Sequence, residues 1–539
     1  MPRLTMTFKK KRPVTPVLRA LLASILIASQ LVSPTAAQAQ LLPGMGDGEM
    51  TASAERRLGD QIARELYRDT DYIDDPVIVE YTQEIWQKLL VAARARGELT
   101  PELDERFAWT VLLGRDRSIN AFALPGGYLG LHLGLVAVIG SRDELATVLG
   151  HELSHVTQRH IARMLDRSSR NTPVMLAALV LGLLAASKSK SGDGAQAVIM
   201  GTQAYAMQSQ LAFSRDMERE ADRVGFGVMT QAGYDPRGAA SMFEKLQFAS
   251  RLNDNSSYPY LRSHPMNTER IADMQGRFQF RRTEGAADAA PVATPGAVSA
   301  PLGPAVPLAM DHAMISARAG VLTRPGPDVL RQRVEAGNSG EFAKASPAQQ
   351  AGILYAAALS ASELRDLRAA RAMTERLLTR TAGDPAAARL ARLLSAEIEL
   401  AANNPAKAAS LLNPKAKDRP EMMLAAQAAI AIRQPAPMLA PLRDWTATHP
   451  RDAGAWRMLG SLYNANDEPV QGIAADAEAN VAILDYPAAR DRYKAAQALY
   501  GQLAAAGKPV DHYAASIIDT RARAVEVLVR QQAEEPPLK

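Results

Sequence analysis

The stretch GHELSHVTQRH, residues 150–160, places His151 and His155 four residues apart, with Glu152 beside the first. On a helix, residues i and i+4 lie about 40° apart on one face, so both imidazoles can bind one ion. Zinc accepts neutral imidazole, and a catalytic zinc site uses three protein ligands and one water. Glu152 can take the proton of that water and return it to a leaving amine. The stretch predicts a metal-dependent hydrolase; the alternative is a helix that carries surface histidines.

The flanking residues predict a helix around this motif. Ser141 followed by Glu144 is typical of a capping box, so the helix is expected to begin just before Leu145 and to end near Asp166.

Upstream, the pattern predicts two helices and a small sheet. Helical periodicity covers Ala52–Tyr67 and Pro76–Arg96, and Phe107–Leu113 has the composition of a strand. In Asn120–Leu135, NAFALPGGYLGLHLGL, the residues Pro125–Gly127 form a turn between two extended apolar pieces.

The third metal ligand must come from elsewhere, and SRDMEREAD, residues 214–222, is the best candidate stretch. It lies in a helix expected over Ala197–Ala232, where Glu218 and Asp222 share one face and Glu220 falls on the opposite side. Glu218 would complete a set of two histidines and one carboxylate. Asp222 could accept a hydrogen bond from the far nitrogen of a ligand imidazole and so fix its tautomer. The alternative is a solvated helix face.

The first 39 residues have the pattern of a secretory signal peptide. Basic residues precede the mostly apolar Leu18–Val32, and Ala37-Gln38-Ala39 supplies a cleavage site. A retained membrane anchor is the alternative, although the apolar stretch is shorter than the roughly 20 residues that a spanning helix needs. We therefore expect an exported protein.

The charge and the lack of cysteine exclude several classes of function. Without the six basic residues of positions 1–39, 56 Lys and Arg face 57 Asp and Glu, so the basic pI of 9.2 does not indicate a nucleic-acid partner. The chain has no cysteine, which excludes a cysteine nucleophile and a thiolate metal site and leaves histidine and carboxylate as zinc ligands.

At 539 residues the chain is expected to form more than one domain. Residues 283–308 are largely Ala, Pro and Gly and predict a linker between a domain over 50–280 and a helical domain over 310–535. In the second domain, Trp456, Leu459, Gly460 and Tyr463 match the core of a tetratricopeptide repeat. An irregular helical domain is the alternative.

The segment Pro173–Ala186 is apolar, but at about 21 Å it is too short to cross a bilayer comfortably. Two readings stay open: a buried or mobile helix, and a segment that contacts substrate or a membrane surface. Because it lies between the two ligand-bearing helices, we hypothesise a lid. Further helices are expected as far as Phe278.

Four motifs, in order along the chain, resemble those of one known family. They are Asn120–Ala123 with Pro125–Gly127, the HELSH sequence, Glu218–Asp222, and Ser263-His264-Pro265 with Arg270. Over about residues 50–280 the chain resembles the HtpX and CAAX prenyl protease family of zinc metallopeptidases.

The resemblance implies an α+β zincin-like fold, mostly helical with a small sheet, followed here by the all-α repeat domain. It implies one zinc ion per chain held by His151, His155 and Glu218, with Glu152 as general base and Asp222 as partner of a ligand histidine. The segment PGGYLGLHLGL would be the edge strand above the zinc, to which an extended peptide could add.

Two further residues keep alternatives open. Asn120 either positions substrate or the developing oxyanion, or is a structural turn residue. His264 is a simple loop residue, stabilises the tetrahedral intermediate, or occupies the open zinc position and holds the enzyme latent. No role is assigned to the remaining histidines: His132, His160, His312, His449 and His512.

The expected function is that of a periplasmic zinc endopeptidase. By resemblance, its partners would be outer-membrane β-barrel proteins and their assembly machinery, with stalled or misfolded ones degraded. The repeats add an expected chaperone or adaptor role. One alternative is a non-catalytic repeat scaffold with a vestigial or latent metal site. Another is an integral-membrane prenyl-protein protease, but after the signal peptide no apolar run is long enough for its spanning helices.

Overall fold

The computed structural model describes residues 50–167, 214–251, 258–284, 308–413 and 415–535. Three predicted features therefore lie wholly or largely outside the described residues: the signal peptide 1–39, the Pro173–Ala186 segment and the linker 283–308. The same holds for the first part of the helix expected over Ala197–Ala232.

The N-terminal half combines ten helices with three strands among the described residues, and its fold class is the expected α+β arrangement. In chain order the elements are α1 Ala52–Arg68, α2 Pro76–Ala95, α3 Pro101–Arg106, β1 Thr110–Gly114, β2 Ala121–Leu124, β3 Tyr128–His132, α4 Leu133–Val138, α5 Arg142–Thr157, α6 His160–Arg167, α7 Arg215–Gln231, α8 Pro236–Arg251, α9 Tyr260–Ser263 and α10 Thr268–Glu284.

Helix α5, which carries the histidine motif, begins as expected but ends early. The Ser141 hydroxyl accepts a hydrogen bond from the Glu144 N–H, while the Glu144 carboxylate reaches back to the N–H of Gly140 rather than to Ser141. The predicted end near Asp166 is wrong. The helix stops at Thr157, Arg159 adopts a positive φ of 52°, and a new helix begins at His160. This break turns His160 back towards the motif.

The three-stranded sheet has the order β1-β3-β2, in which β3 runs parallel to β1 and antiparallel to β2. The expectation that PGGYLGLHLGL forms the edge strand is therefore wrong, because β3 is central. The edge strand next to the histidine motif is β2. The turn between β2 and β3 needs glycine, since Gly126 and Gly127 have φ values of 70° and 84°.

Helices α5 and α7 cross where two glycines meet. A Cβ on Gly150 would lie 3.2 Å from the Gly225 carbonyl oxygen, and one on Gly225 would lie 2.9 Å from the backbone of Gly150. Only residues without a side chain allow the two backbones to approach this closely. The crossing brings Glu218 and Asp222 of α7 over His151.

Beyond residue 308 the described chain is entirely helical, with consecutive helices packed against one another. Gly460 fits the predicted repeat, because a Cβ there would lie 3.1 Å from the carbonyl oxygen of Gly472 on the next helix. That the helices form tetratricopeptide repeats stays a prediction. The helices are α11 Met310–Leu322, α12 Pro327–Ala336, α13 Gly340–Lys344, α14 Pro347–Glu363, α15 Leu367–Thr381, α16 Pro385–Ala401, α17 Pro405–Leu411, α18 Arg419–Ala431, α19 Ala436–Thr448, α20 Ala453–Ala465, α21 Pro469–Ala482, α22 Tyr486–Ala505 and α23 His512–Ala533.

The two halves share one apolar core, which runs from the sheet, α2 and α5 into α11, α14 and α16. Ion pairs reinforce the contact at the start of α2. The buried Arg318 guanidinium binds the Asp75 carboxylate through two hydrogen bonds of 2.6 and 2.8 Å, and Arg419 pairs with Asp74 at 2.7 Å. In the described part of the chain, no helix combines the length and apolarity needed to cross a membrane.

Candidate metal centre

His151 and His155 lie on one face of α5 and are both buried, with 4% and 0% of their surface exposed. Their Nε2 atoms face each other at 3.1 Å. This is the juxtaposition that the four-residue spacing predicts.

Glu218 reaches both imidazoles from α7. Its carboxylate oxygens lie 3.6 Å from the Nε2 of His151 and 3.5 Å from the Nε2 of His155. The side chain is 1% exposed, so a buried carboxylate meets two buried imidazoles, as the sequence reasoning requires of a third ligand.

His264 also enters the cluster, so the simple loop interpretation is wrong. It follows the short helix α9, its ring packs on the Tyr260 ring with 4.6 Å between centroids, and it is 1% exposed. Its Nδ1 lies 3.0 Å from Glu218 Oε1 and 3.3 Å from His151 Nε2.

The spacing of these four side chains fits a zinc ion. One nitrogen or oxygen from each lies within 4.8 Å of all the others. Two ligands at 2.0–2.1 Å from a tetrahedral ion stand about 3.3 Å apart, which is the range of the contacts above. Among the described residues, Glu152 Oε1 is a buried oxygen without a hydrogen bond, 3.4 Å from His264 Nε2, and a nearby cation would lower the free-energy cost of burying it. Glu218 Oε2 is buried as well, but the Arg270 guanidinium already compensates its charge.

A hydrogen bond to Asp222, outside the cluster, orients the His151 imidazole so that its Nε2 points towards the other three side chains. The Nδ1 of His151 lies 3.0 Å from Asp222 Oδ1. Because a carboxylate accepts a hydrogen bond, Nδ1 of a neutral His151 carries the proton and Nε2 presents its lone pair to the cluster. Asp222 is held by two hydrogen bonds from the Arg270 guanidinium, at 2.7 and 2.8 Å. A third Arg270 contact joins Nη1 to Glu218 Oε2 at 2.7 Å.

The electrostatics of the cluster favour a positive charge. Burial lowers the pKa of His151, but Asp222 and Glu218 override this effect and raise that pKa to about 10. Burial and the charge on His151 hold the pKa of His155 well below its usual value. Burial likewise opposes ionisation of Glu218, yet His264 and His151 keep its pKa well below normal. The two carboxylates therefore stabilise positive charge on the His151 ring, while His155 stays neutral.

Glu152 stands beside the cluster with its carboxylate held in place. The Ala123 N–H of edge strand β2 donates to Glu152 Oε2 at 2.9 Å, and His264 Nε2 lies 3.4 Å from Oε1. Glu152 is fully buried, and burial raises its pKa. A carboxylate with a raised pKa is a stronger base, which suits proton transfer from water.

Asn120 stands apart from this group. It is buried at the start of β2, where its carbonyl oxygen accepts a hydrogen bond from the His132 N–H. No contact recorded among the described residues joins its side chain to the cluster.

Sequence reasoning missed three neighbours of the site. Arg270 was noted within a motif but given no role, although it holds Glu218 and Asp222 together. His160 was set aside, and Glu220 was placed on the opposite helix face; yet His160 Nδ1 lies 2.9 Å from His155 Nδ1, and His160 Nε2 lies 3.0 Å from Glu220 Oε2. These contacts form because the helix ends before Arg159 and a new helix starts at His160, which the sequence did not predict.

The comparison with protein families agrees with this geometry. Residues 82–278 match the family model described as peptidase family M48. The resemblance to peptidase family M48 covers this part of the chain, which is less than half of its length. The match contains the histidine motif, Glu218, Asp222, His264 and Arg270, so the four residues that could hold a metal ion all lie within the region similar to this peptidase family.

Proteins of two bacteria and of a plant are similar to this chain. A Vibrio cholerae protein is 36% identical over 244 residues, which is 44% of this chain and about half, 47%, of that relative. The β-barrel assembly-enhancing protease of Escherichia coli (strain K12) is 29% identical over 469 residues, 85% of this chain and 87% of the relative. A mitochondrial metalloendopeptidase of Arabidopsis thaliana is 30% identical over 227 residues, 42% of this chain and 41% of that protein.

Proposed function

We propose that this protein is a periplasmic zinc endopeptidase. The observation that carries the proposal is the position of Glu152, whose Oε1 lies beside the four-residue cluster, 3.4 Å from His264 Nε2, while Oε2 is held by the edge strand. Three proposed ligands, His151, His155 and Glu218, match the donor set of catalytic zinc sites. Bound there, zinc would polarise the scissile carbonyl and lower the pKa of a water molecule.

The residues of the chain then divide the reaction between them. Glu152 takes a proton from the attacking water and passes it to the amine nitrogen as the C–N bond breaks, so that one water and one peptide give a carboxylate and an amine. Among the described residues, strand β2 pairs with β3 on one side only, and an extended peptide would add to its other edge. Since the Ala123 N–H already points out of the sheet to Glu152, a substrate carbonyl that takes this donor would free Glu152 for proton transfer.

His264 is proposed to hold the resting enzyme latent. Its Nδ1 is as close to Glu218 and His151 as the proposed ligands are to each other, which supports a fourth-ligand position. Changing His264 to alanine then increases proteolysis. A decrease in kcat with unchanged zinc content would instead assign His264 to stabilisation of the tetrahedral intermediate.

Casein cleavage tests the peptidase proposal. Wild-type protein with one zinc per chain should cleave casein, and Glu152→Gln should bind zinc equally and cleave at least about 100-fold more slowly, as expected when a general base is removed. Equal cleavage by both proteins contradicts the role of Glu152. Zinc binding without cleavage by wild type, even with His264→Ala, favours the alternative of a repeat scaffold with a vestigial metal site.

The substrate class and the repeat function are also proposals. Similarity over 85% of the chain to a β-barrel assembly-enhancing protease supports outer-membrane β-barrel precursors as substrates and their assembly machinery as partner. The helical C-terminal half offers a protein-binding surface for a chaperone or adaptor role. A purified β-barrel precursor that competes no better with casein than a soluble globular protein does would contradict the assignment.

A further inference from the structure

His160 lies beyond the proposed ligands yet touches one of them. It is the first residue of α6, after the turn in which Arg159 has positive φ. The turn stacks the His160 ring edge-on against His155, with 4.9 Å between centroids and 2.9 Å between the two Nδ1 atoms. His160 is fully buried, so this contact is part of the packed interior.

The chemistry of imidazole fixes the direction of this hydrogen bond. The Nε2 of His155 faces His151 and Glu218, so it must be unprotonated to bind a cation. A neutral His155 then carries its proton on Nδ1 and donates it to the Nδ1 of His160. The proton of His160 consequently sits on Nε2, where it is donated to Glu220 Oε2 at 3.0 Å.

Glu220 is itself anchored. Arg163 of α6 donates a hydrogen bond to the same Oε2 at 2.9 Å. Burial alone would raise the pKa of Glu220, but Arg163 and His160 outweigh this effect and lower it. Glu220 lies on α7 between Glu218 and Asp222. Helix α7 therefore supports both ligand imidazoles, His151 directly through Asp222 and His155 indirectly through the His160 ring.

We propose that His160 is a positioning residue that fixes the tautomer and ring plane of His155, with Glu220 as its anchor. The inference rests on the proposed function only in that the cluster binds a metal. Partners of this kind contribute roughly 10- to 100-fold to metal affinity. Replacing His160 with leucine should therefore weaken zinc binding by that factor and change the coordination geometry.

The inference is tested by measuring the zinc affinity of the full chain in competition with a chromophoric chelator. The visible absorption spectrum of the cobalt-loaded protein is the second measurement. His160→Leu should weaken zinc binding about 10- to 100-fold and shift the cobalt bands. His160→Asn should restore most of the affinity, because the Asn Oδ1 replaces Nδ1 as acceptor. His132→Leu is the matched control: it removes another buried imidazole, hydrogen-bonded to Ser118, outside the cluster and should leave zinc affinity unchanged.

The outcomes separate this inference from the peptidase proposal. Absence of zinc from the wild type would overturn both. A wild type that binds zinc, together with a folded His160→Leu of equal affinity and identical cobalt spectrum, overturns only the role of His160. If His160→Leu does not fold, Glu220→Leu decides, since Glu220 is only half-buried: a weakened affinity supports the inference and an unchanged one refutes it.

Discussion

Changing Gly225 to alanine should damage the metal centre more than it destabilises the fold. The new Cβ would lie 2.9 Å from the carbonyl carbon and oxygen of Gly150 and from the His151 nitrogen. Carbon contacts are ordinarily about 3.5–4.0 Å, so α5 and α7 must separate by roughly 0.6–1 Å. Overpacking of this size costs about 1–3 kcal/mol, whereas the higher helix propensity of alanine returns up to about 1 kcal/mol. The net loss of stability is therefore about 0–3 kcal/mol.

The metal site tolerates the same displacement poorly. Its ligands come from both helices, and a constellation of this kind must hold its geometry within about 0.5 Å. A misplacement of about 1 Å can cost roughly 100-fold in rate. We expect Gly225→Ala to unfold in urea close to wild type but to lose about 100-fold in casein cleavage, with weaker zinc binding. Gly276→Ala is the control, because a Cβ there meets nothing within 4 Å and should preserve both properties. If folded Gly225→Ala had the zinc affinity and turnover of the wild type, the close contact between Gly150 and Gly225 would not be what positions the metal ligands.

Three further predictions concern the site's metal and the contact between the halves. Saturating zinc should stabilise the fold by about 4 kcal/mol at a thousandfold excess over Kd, and thermal unfolding with zinc or chelator should show no such difference for Glu218→Ala. Arg318→Leu strands the buried Asp75 carboxylate and should cost about 3–5 kcal/mol in urea unfolding, whereas the exposed Arg331→Leu should change little; equal effects would contradict the buried pair. Burial alone would raise the pKa of Asp75, but Arg318 holds that pKa below its usual value. The ion pair therefore stabilises the fold fully above about pH 4, and this contribution is lost as the pH falls through the pKa of the folded state. In Asp75→Asn the free energy of unfolding should consequently depend less on pH in the acid range.

Local spacing was enough to predict the centre of the site. His151, His155, Glu218 and Asp222 were placed by helical periodicity, because side chains four residues apart share a face whatever the rest of the fold does. The α+β class was implied by the family resemblance, while local patterns predicted individual helices and strands. His264 could not be placed, since its approach to the cluster depends on the loop after α9 and on the packing of Tyr260.

The sequence-based predictions were wrong where strand pairing or an unusual backbone conformation determines the structure. The strands β2 and β3 are both apolar, so composition does not reveal which one is central. The residue Arg159 has no sequence signature of a positive φ, as glycine or asparagine would have, and the helix break there was missed. Missing the break also hid His160 and Glu220. The ion pair between Asp75 and Arg318 joins residues 243 positions apart, beyond the reach of periodicity.

The contacts between the two halves bear on how a substrate would reach the proposed metal site. The helices beyond residue 308 share an apolar core with α2 and α5, and Arg318 and Arg419 bind carboxylates at the start of α2. Rotating that half as a rigid body would break these pairs and strand buried charges, each at a cost of several kcal/mol. Movement of His264 breaks neither of these ion pairs and therefore requires much less free energy. Its loop is held by the Arg270 side chain, which donates to the Pro265 carbonyl oxygen while binding Glu218 and Asp222. If His264 holds the site closed, as proposed above, we expect the site to open by withdrawal of the His264 ring, with both halves of the chain remaining in contact.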